Sequence, residues 1–339
     1  MSTTIRLGVV GATGAVGSEI FKILAERNFP FASLRAFASE RSAGKIITFK
    51  NTEIVIEATN ESVFADLDIA LFSAGSSITK QYREAAKKAG CLIIDNSSAY
   101  RMDTDVPLVV PDVNDEDCKD HQGLIAVPNC SAIMMLMAVA PINKVAPIRR
   151  IVVSTYQAVS GAGAKALAEL QLQIKELAAG RQPTIKEFPY QIALNLFSHN
   201  TPINEVGYNG EEWKVIHESQ KILHNENIAI TATCVRVPVE RAHSESVNME
   251  FIGERPSVDE IRSIISNANG VILMDDQENN HFPMPLEAAG KDNVYVGRIR
   301  NDISNPKAID LFVSGDQLRQ GAALTAVRIA EYVIKNNLI

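Results

Sequence analysis

Cysteine and tryptophan are scarce here: Cys91, Cys118, Cys130 and Cys234 are the only cysteines, and a single tryptophan occurs in 339 residues. The irregular cysteine spacing, with no CxxC pair, excludes a disulfide framework and a cysteine-rich zinc site, so reduced thiols are expected. HExxH and comparable ligand clusters are also missing, and no metal is expected in the chemistry. There is no excess of basic charge: 33 Lys+Arg against 40 Asp+Glu give a formal net charge of -7. A nucleic-acid footprint is thereby excluded. The longest apolar run, AIMMLMAVAPI at 132–142, ends in proline and is shorter than the ~18–20 residues of a membrane span, so it reads as a buried helix. The opening MSTTIRLGVVGATG has no charged leader and cleavage site, which makes the cytoplasm the expected compartment. Internal repeats, low-complexity tracts and long flexible linkers are absent too.

What is present is an ordinary globular composition, 46% hydrophobic and 22% charged, in a chain long enough for two domains. Its first 130 residues alternate β-branched runs with helix-like stretches: IRLGVV, AVGSEIFKILAERN, LRAFA, EIVIEAT, IALFSA, KQYREAAKKAG, CLIIDN. That alternation predicts parallel βαβ units with helices on the sheet faces. In the first helix Val16, Ile20, Ile23 and Leu24 share a face, with Pro30 as the stop. From about residue 148 the pattern changes. RRIVVSTYQAV leads to a long polar helix near 162–179, an irregular stretch to 210, and strands near 231–238, 246–252, 294–299 and 308–314. Strands in that order without regular intervening helices predict a mostly antiparallel α+β domain. The last segment, LRQGAALTAVRIAEYVIKNN, reads as an amphipathic helix placed back against the first domain.

GVVGATGAVG follows the first strand and opens the first helix, with Gly11, Gly14 and Gly17 three apart. A tight turn of this kind brings backbone N–H groups to a pyrophosphate at a helix amino terminus. After the second strand, Ser39, Arg41 and Ser42 favour the 2′-phosphate of NADP over the ribose hydroxyl of NAD, although Glu40 stands among them. VPNCSA places Cys130 between a turn and an apolar run. A thiol there is either core packing or a nucleophile favoured by a helix amino terminus. A nucleophile needs an acid/base partner. Of the six histidines, His243 follows a strand that carries Arg236, whereas His121, His199, His217, His224 and His281 lie in polar or irregular stretches without distinguishing company.

Taken in order, GATGAVG, DNSSAYR, VPNCSA, QAVSGAG, EEWK and RVPVERAHS resemble the aspartate-β-semialdehyde dehydrogenases over nearly the whole chain. The resemblance implies a Rossmann-type α/β NADP-binding domain, residues 1–129 plus 318–339, and an α+β catalytic and dimerisation domain, residues 130–317. It implies NADPH-dependent reduction of L-aspartyl-4-phosphate to the semialdehyde with release of phosphate, in the pathway to lysine, methionine and threonine, by a homodimer or homotetramer. Carried over, Cys130 is the nucleophile, His243 the acid/base and Gln157 the residue that positions the acyl group. Arg236 takes the substrate carboxylate, a role suited to a guanidinium fork. Glu211 takes the ammonium, with Glu212 as the competing assignment. Arg101 and Lys214 take the phosphate, each also readable as a solvated surface charge. Cofactor contacts fall to Gly11, Thr13, Gly14, Ala15, Val16, Gly17, Ser39, Arg41, Ser42, Ser73, Gly75, Asn96, Ser160, Gly161 and Gln317. One departure stands out: GAALTAV has Thr325 where the family commonly has asparagine.

Three rival readings differ in what they demand. N-acetyl-γ-glutamyl-phosphate reductases carry their cysteine in a GCYP-like context and need no acid for an acetylated amine. A non-catalytic nucleotide-binding relative would not need Cys130, Gln157, Arg236 and His243 together. An ordinary hydroxy-acid dehydrogenase leaves Cys130 without a role.

Overall fold

The computed structural model describes residues 5–339 and divides into two compact units, one running to Pro128 and resuming from Ala322 to Ile339, the other Asn129–Gly321. In the first unit β1 (Arg6–Val10) leads into α1 (Ala15–Glu26). β2 (Ser33–Ala38), β3 (Ile46–Phe49), β4 (Thr52–Ala58), β5 (Ile69–Phe72), α2 (Ser76–Ala89), β6 (Leu92–Asp95) and β7 (Leu124–Ala126) follow. Among the described residues the sheet order is β3-β4-β2-β1-β5-β6-β7, parallel except for the β3/β4 hairpin. The order reverses at β1, and in such sheets ligands bind beyond the strand carboxyl ends at the reversal. β5 and β6 are buried along their length, as strands covered on both faces must be. The carboxy-terminal helix Leu324–Lys335 belongs to this unit, its apolar face including Val327, Ile329, Ala330 and Val333, with Thr325 also buried.

The second unit opens with α3 (Cys130–Val145), apolar on every side and buried accordingly. This helix does not stop at Pro141 but continues another turn. β8 (Ile148–Gln157), α4 (Ala164–Ala178), β9 (Phe197–Ser198), α5 (Gly210–Ile222), β10 (Ala229–Arg236) and β11 (His243–Phe251) come next. They are followed by α6 (Val258–Ser266), β12 (Val271–Leu273), α7 (Pro285–Ala288), β13 (Val294–Asn301) and β14 (Ala308–Gly315). The sheet runs β12-β13-β14-β11-β8-β10-β9, antiparallel except at β12/β13 and β8/β10. The mostly antiparallel expectation holds, but the expected lack of intervening helices does not: α5 and α6 lie between strands. Each opens on a capping box, Asn209 with Glu212 and Ser257 with Glu260, in which cap and N3 side chains satisfy one another's backbone N–H.

The irregular stretch before α5 is held from α4, whose Glu169, Gln173 and Glu176 recur at helical spacing and face it. Glu169 accepts from the N–H groups of Lys186 and Glu187, Gln173 from Ile192 and Ala193, and Glu176 from Thr184. Side-chain acceptors do here what a strand partner would otherwise do. Asn129 and Leu318–Gly321 fall with the second unit. The Asn129 N–H donates to Glu218 (2.6 Å), and Arg319 pairs with Asp292 (2.6 Å). No helix among the described residues is long and apolar enough to cross a membrane.

Candidate functional site

In the first unit the glycine loop is built for close approach. Gly11 has φ +87, and a Cβ there would sit 2.6 Å from the Ser73 carbonyl; one at Gly17 would lie 2.2 Å from the Gly11 carbonyl. Both positions exclude any side chain. α1 follows Gly14 without a side-chain cap, so the first-turn N–H groups, among them those of Ala15, Val16 and Gly17, are not taken by a capping side chain and suit an anion. Thr13 is exposed beside them, Ser73 Oγ donates to the Val10 carbonyl (3.2 Å), and Gly75 forms the amino-terminal boundary of α2. After β2 the chain makes a single 3₁₀ turn, Glu40–Ser42, with Ser39, Glu40 and Arg41 exposed. In DNSSAYR, Asn96 Nδ2 donates to the Phe72 carbonyl (3.0 Å), while its buried Oδ1 has no partner. Arg101 is buried and donates to the Asn96 carbonyl (2.8 Å), so it is not a solvated surface charge. The bare helix end, the side-chain-free cradle and the orphaned Asn96 oxygen fit a dinucleotide.

In the second unit Cys130 is the first residue of α3, half-buried, with Asn129 as its cap. Asn129 Oδ1 accepts from Ser131 N (3.0 Å) and Ala132 N (3.3 Å), and its Nδ2 donates to Glu211 Oε1 (2.8 Å). Negative charge on the sulfur is favoured at this helix end. Gly321 backs the thiol so closely that a Cβ there would lie 2.8 Å from the Cys130 Cβ.

Gln157 ends β8 fully buried, its Oε1 accepting from Thr155 (3.1 Å) and its Nε2 donating to Glu211 Oε1 (3.0 Å). Burial pushes the Glu211 carboxyl up, but Lys214 Nζ on Oε2 (3.2 Å) and the two amide donors outweigh it and hold it down at about 2. The two acids of EEWK therefore separate. Glu212 is committed to its own cap and to Cys234 N (3.0 Å), whereas Glu211 faces the cluster. Lys214 joins the same cluster as the partner of Glu211.

Arg236, at the end of β10, is buried with Nη1 donating to the Ala158 carbonyl (2.8 Å) and Nη2 to His199 Nε2 (3.0 Å), its Nε–H unpartnered. The Phe188 ring lies 5.9 Å away. His243, opening β11, is fully buried. Its Nδ1 accepts from Ala158 N (2.9 Å) and its Nε2 has no partner. A neutral imidazole that accepts at Nδ1 carries its proton on Nε2. Burial first, then the Arg236 charge, lowers its pKa to about 3, so the ring is neutral at physiological pH. A Cβ on Gly161 would sit 3.0 Å from His243 Cε1. Ser160 Oγ and Gln317 Nε2 satisfy one another (2.6 Å), and Gln317 Oε1 accepts from Ala242 N (2.9 Å), so the residues flanking His243 are fixed through Gln317.

The structure thus gathers Cys130, Gln157, Glu211, Lys214, Arg236 and His243 in one unit, and places Arg101, Asn96 and the glycine loop in the other. Sequence reasoning missed Asn129, Gly321 and His199. For Asn129 a signal was present, an asparagine directly before a helix; His199 sits in a stretch with no period to read.

The semialdehyde dehydrogenase NAD binding domain family matches residues 6–121, and the semialdehyde dehydrogenase dimerisation domain family matches residues 139–320. The chain is 51% identical over 330 residues to the aspartate-semialdehyde dehydrogenase of Prochlorococcus marinus, covering 97% of this chain and 96% of that protein. It is 51% identical over 338 residues to that of Aquifex aeolicus, covering 98% and 99%. Aspartate semialdehyde dehydrogenase II from Vibrio cholerae, solved complexed with ASA, is similar at a TM-score of 0.96 and 39% identity, covering 99% of both chains.

Proposed function

Since the chain belongs to the aspartate-semialdehyde dehydrogenase family of oxidoreductases, we propose that it reduces L-aspartyl-4-phosphate to L-aspartate-4-semialdehyde and phosphate with NADPH, through a thioester on Cys130. The step serves the biosynthesis of lysine, methionine and threonine in the cytoplasm. The observation that carries the reading is Cys130 at the amino end of α3, whose cap Asn129 is bonded to the buried carboxylate of Glu211, in the same unit as the buried Arg236 and the neutral His243.

The Cys130 thiolate attacks the acyl carbon and phosphate leaves with the bonding pair. When bound, the nicotinamide supplies the hydride that reduces the thioester carbonyl. The resulting oxyanion collapses to aldehyde and returns the pair to sulfur, so the thiolate is regenerated at the helix end that favours it. His243 serves this cycle from Nε2–H, as the acid half of its acid/base role, stabilising oxyanion and departing thiolate. Gln157, fixed at both ends of its amide, holds the acyl group. The unpartnered Nε–H of Arg236 is available to the α-carboxylate, and Glu211 takes the ammonium at Oε2 in place of Lys214. Lys214, so released, is available to the phosphate.

Ser39, Arg41 and Ser42 carry the preference for NADP, as the exposed turn after β2 offers one cation and two hydroxyls. Changing Arg41 to alanine raises KM for NADP about tenfold, the loss of one charge-assisted phosphate contact, and leaves KM for NAD unchanged. Steady-state kinetics with each cofactor checks this. Assembly as a homodimer or a tetramer of paired subunits is supported by the dimerisation-domain match and by Tyr156, 39% exposed on the outer sheet face.

The decisive experiment is phosphate-dependent reduction of NADP by the purified protein with L-aspartate-4-semialdehyde. Reduction that requires both semialdehyde and phosphate and stops on thiol alkylation is expected; its absence in a folded, NADP-binding protein overturns the reading.

A further inference from the structure

Arg236 Nη2 meets His199 Nε2 at 3.0 Å, and a guanidinium can only donate. His199 must therefore accept at Nε2 and carry its single proton on Nδ1, which faces Thr201 Oγ1 at 3.3 Å. The same Thr201 oxygen accepts from the Glu211 N–H (3.1 Å) at the start of α5. On the other side Arg236 Nη1 grips the Ala158 carbonyl, and the Ala158 N–H holds His243 Nδ1. One chain of bonds therefore runs from the α5 amino terminus through Thr201, His199, Arg236 and Ala158 to His243. Arg236 fixes the tautomer of His199, and the Ala158 N–H independently fixes that of His243. His199 is itself placed by the short β9 to β10 pairing, its N–H on the Cys234 carbonyl (2.8 Å).

We propose that His199 is a positioning residue, a neutral acceptor that sets the plane of the Arg236 guanidinium and so the grip on the substrate's α-carboxylate. A guanidinium held at Nη1 alone can pivot about that bond; held at Nη1 and Nη2 it cannot, and carboxylate recognition depends on the plane of the fork. The neutral state has a cause in the surroundings. Burial, and then the Arg236 and Lys214 charges, act against protonation more strongly than Glu211 favours it, bringing the imidazole down to about 4. His243, the other imidazole in this network, is neutral too.

The proposal rests on the carboxylate-binding role given to Arg236, and the test separates the two. Initial rates of phosphate-dependent semialdehyde oxidation are compared for wild type, His199→Leu and His199→Gln, each with thermal unfolding. His199→Leu removes the acceptor and raises KM for the semialdehyde about tenfold with kcat within a factor of about three. KM for phosphate and for NADP stays as in wild type. His199→Gln returns an acceptor near the Nε2 position and restores most of the loss. With 3-aminopropanal, the same aldehyde without the α-carboxylate, kcat/KM is equal in wild type and both variants. A His199→Leu enzyme whose semialdehyde KM matches wild type, or a loss of the same size for 3-aminopropanal, overturns the positioning role. A wild-type protein inactive with the semialdehyde overturns the parent reading instead. Should His199→Leu fail to fold, His199→Gln against wild type with the two aldehydes decides alone: a KM defect confined to the carboxylate-bearing substrate supports the role, and an equal defect for both removes it.

Discussion

Replacing Cys130 by alanine lowers turnover at least about 10³- to 10⁴-fold, because the attacking atom itself is removed and nothing else in the cluster is a nucleophile of comparable strength. The fold is indifferent to the change. Cys130 is half-buried at the first position of α3, alanine is the best helix former, and the cap is Asn129, which the substitution does not touch. Thermal unfolding and NADP binding therefore match wild type while the phosphate-dependent reaction is lost. With acyl phosphate and no reductant, wild type gains the mass of the aspartyl group on one cysteine and the variant gains none. Substantial turnover by the alanine variant would falsify the thioester and return Cys130 to a packing role.

A second large effect lies two register pairs farther along the same sheet. Glu245 in β11 is opposite Thr155 in β8, on the row beneath His243 and Gln157, fully buried with neither carboxyl oxygen partnered. Burial raises its pKa well above the ordinary carboxylate value. Between that ordinary value and the raised one the folded chain keeps the proton that the unfolded chain releases. The resulting penalty is absent in acid and grows as pH rises, by about 1.4 kcal/mol per pH unit. Glu245→Gln removes the penalty with almost no change of volume. The variant is expected to be more stable than wild type at pH 7, by at most about 3.5 kcal/mol, and nearly equal to it at pH 4, as read from urea midpoints at the two values. A difference independent of pH would show that Glu245 is ionised in the folded protein.

Much of this molecule was legible before its coordinates. Strands that alternate with helices declare a parallel sheet, and the glycine loop lies where strand β1 gives way to α1 because only that context makes the spacing useful. Cys130 and His243 were found through motifs, not periodicity. The helices α5 and α6 were missed although Asn209 with Glu212 and Ser257 with Glu260 are readable capping boxes: their polar sequences hid them. What could not be read is which side chains meet. Lys214 pairs with Glu211 rather than standing apart from it, and the two neighbouring acids part ways, Glu211 bonded to Asn129, Gln157 and Lys214 and Glu212 to its own cap and the Cys234 backbone. His199 was passed over because the stretch before α5 takes its path from α4, a partner far away in sequence.

That arrangement has a consequence for how the second unit can change. Glu169, Gln173 and Glu176 hold main-chain N–H groups, and a main-chain N–H is the same whatever side chain it carries. The exposed residues of 184–193, Ile185, Lys186, Glu187, Pro189 and Tyr190, can accordingly exchange their side chains while the path of the chain and its buried Phe188 and Ile192 are kept. Proline is the exception: at 184, 186, 187, 192 or 193 it would delete a donor on which the path depends. The clamp leaves the identity of these exposed positions open and the course of the segment closed.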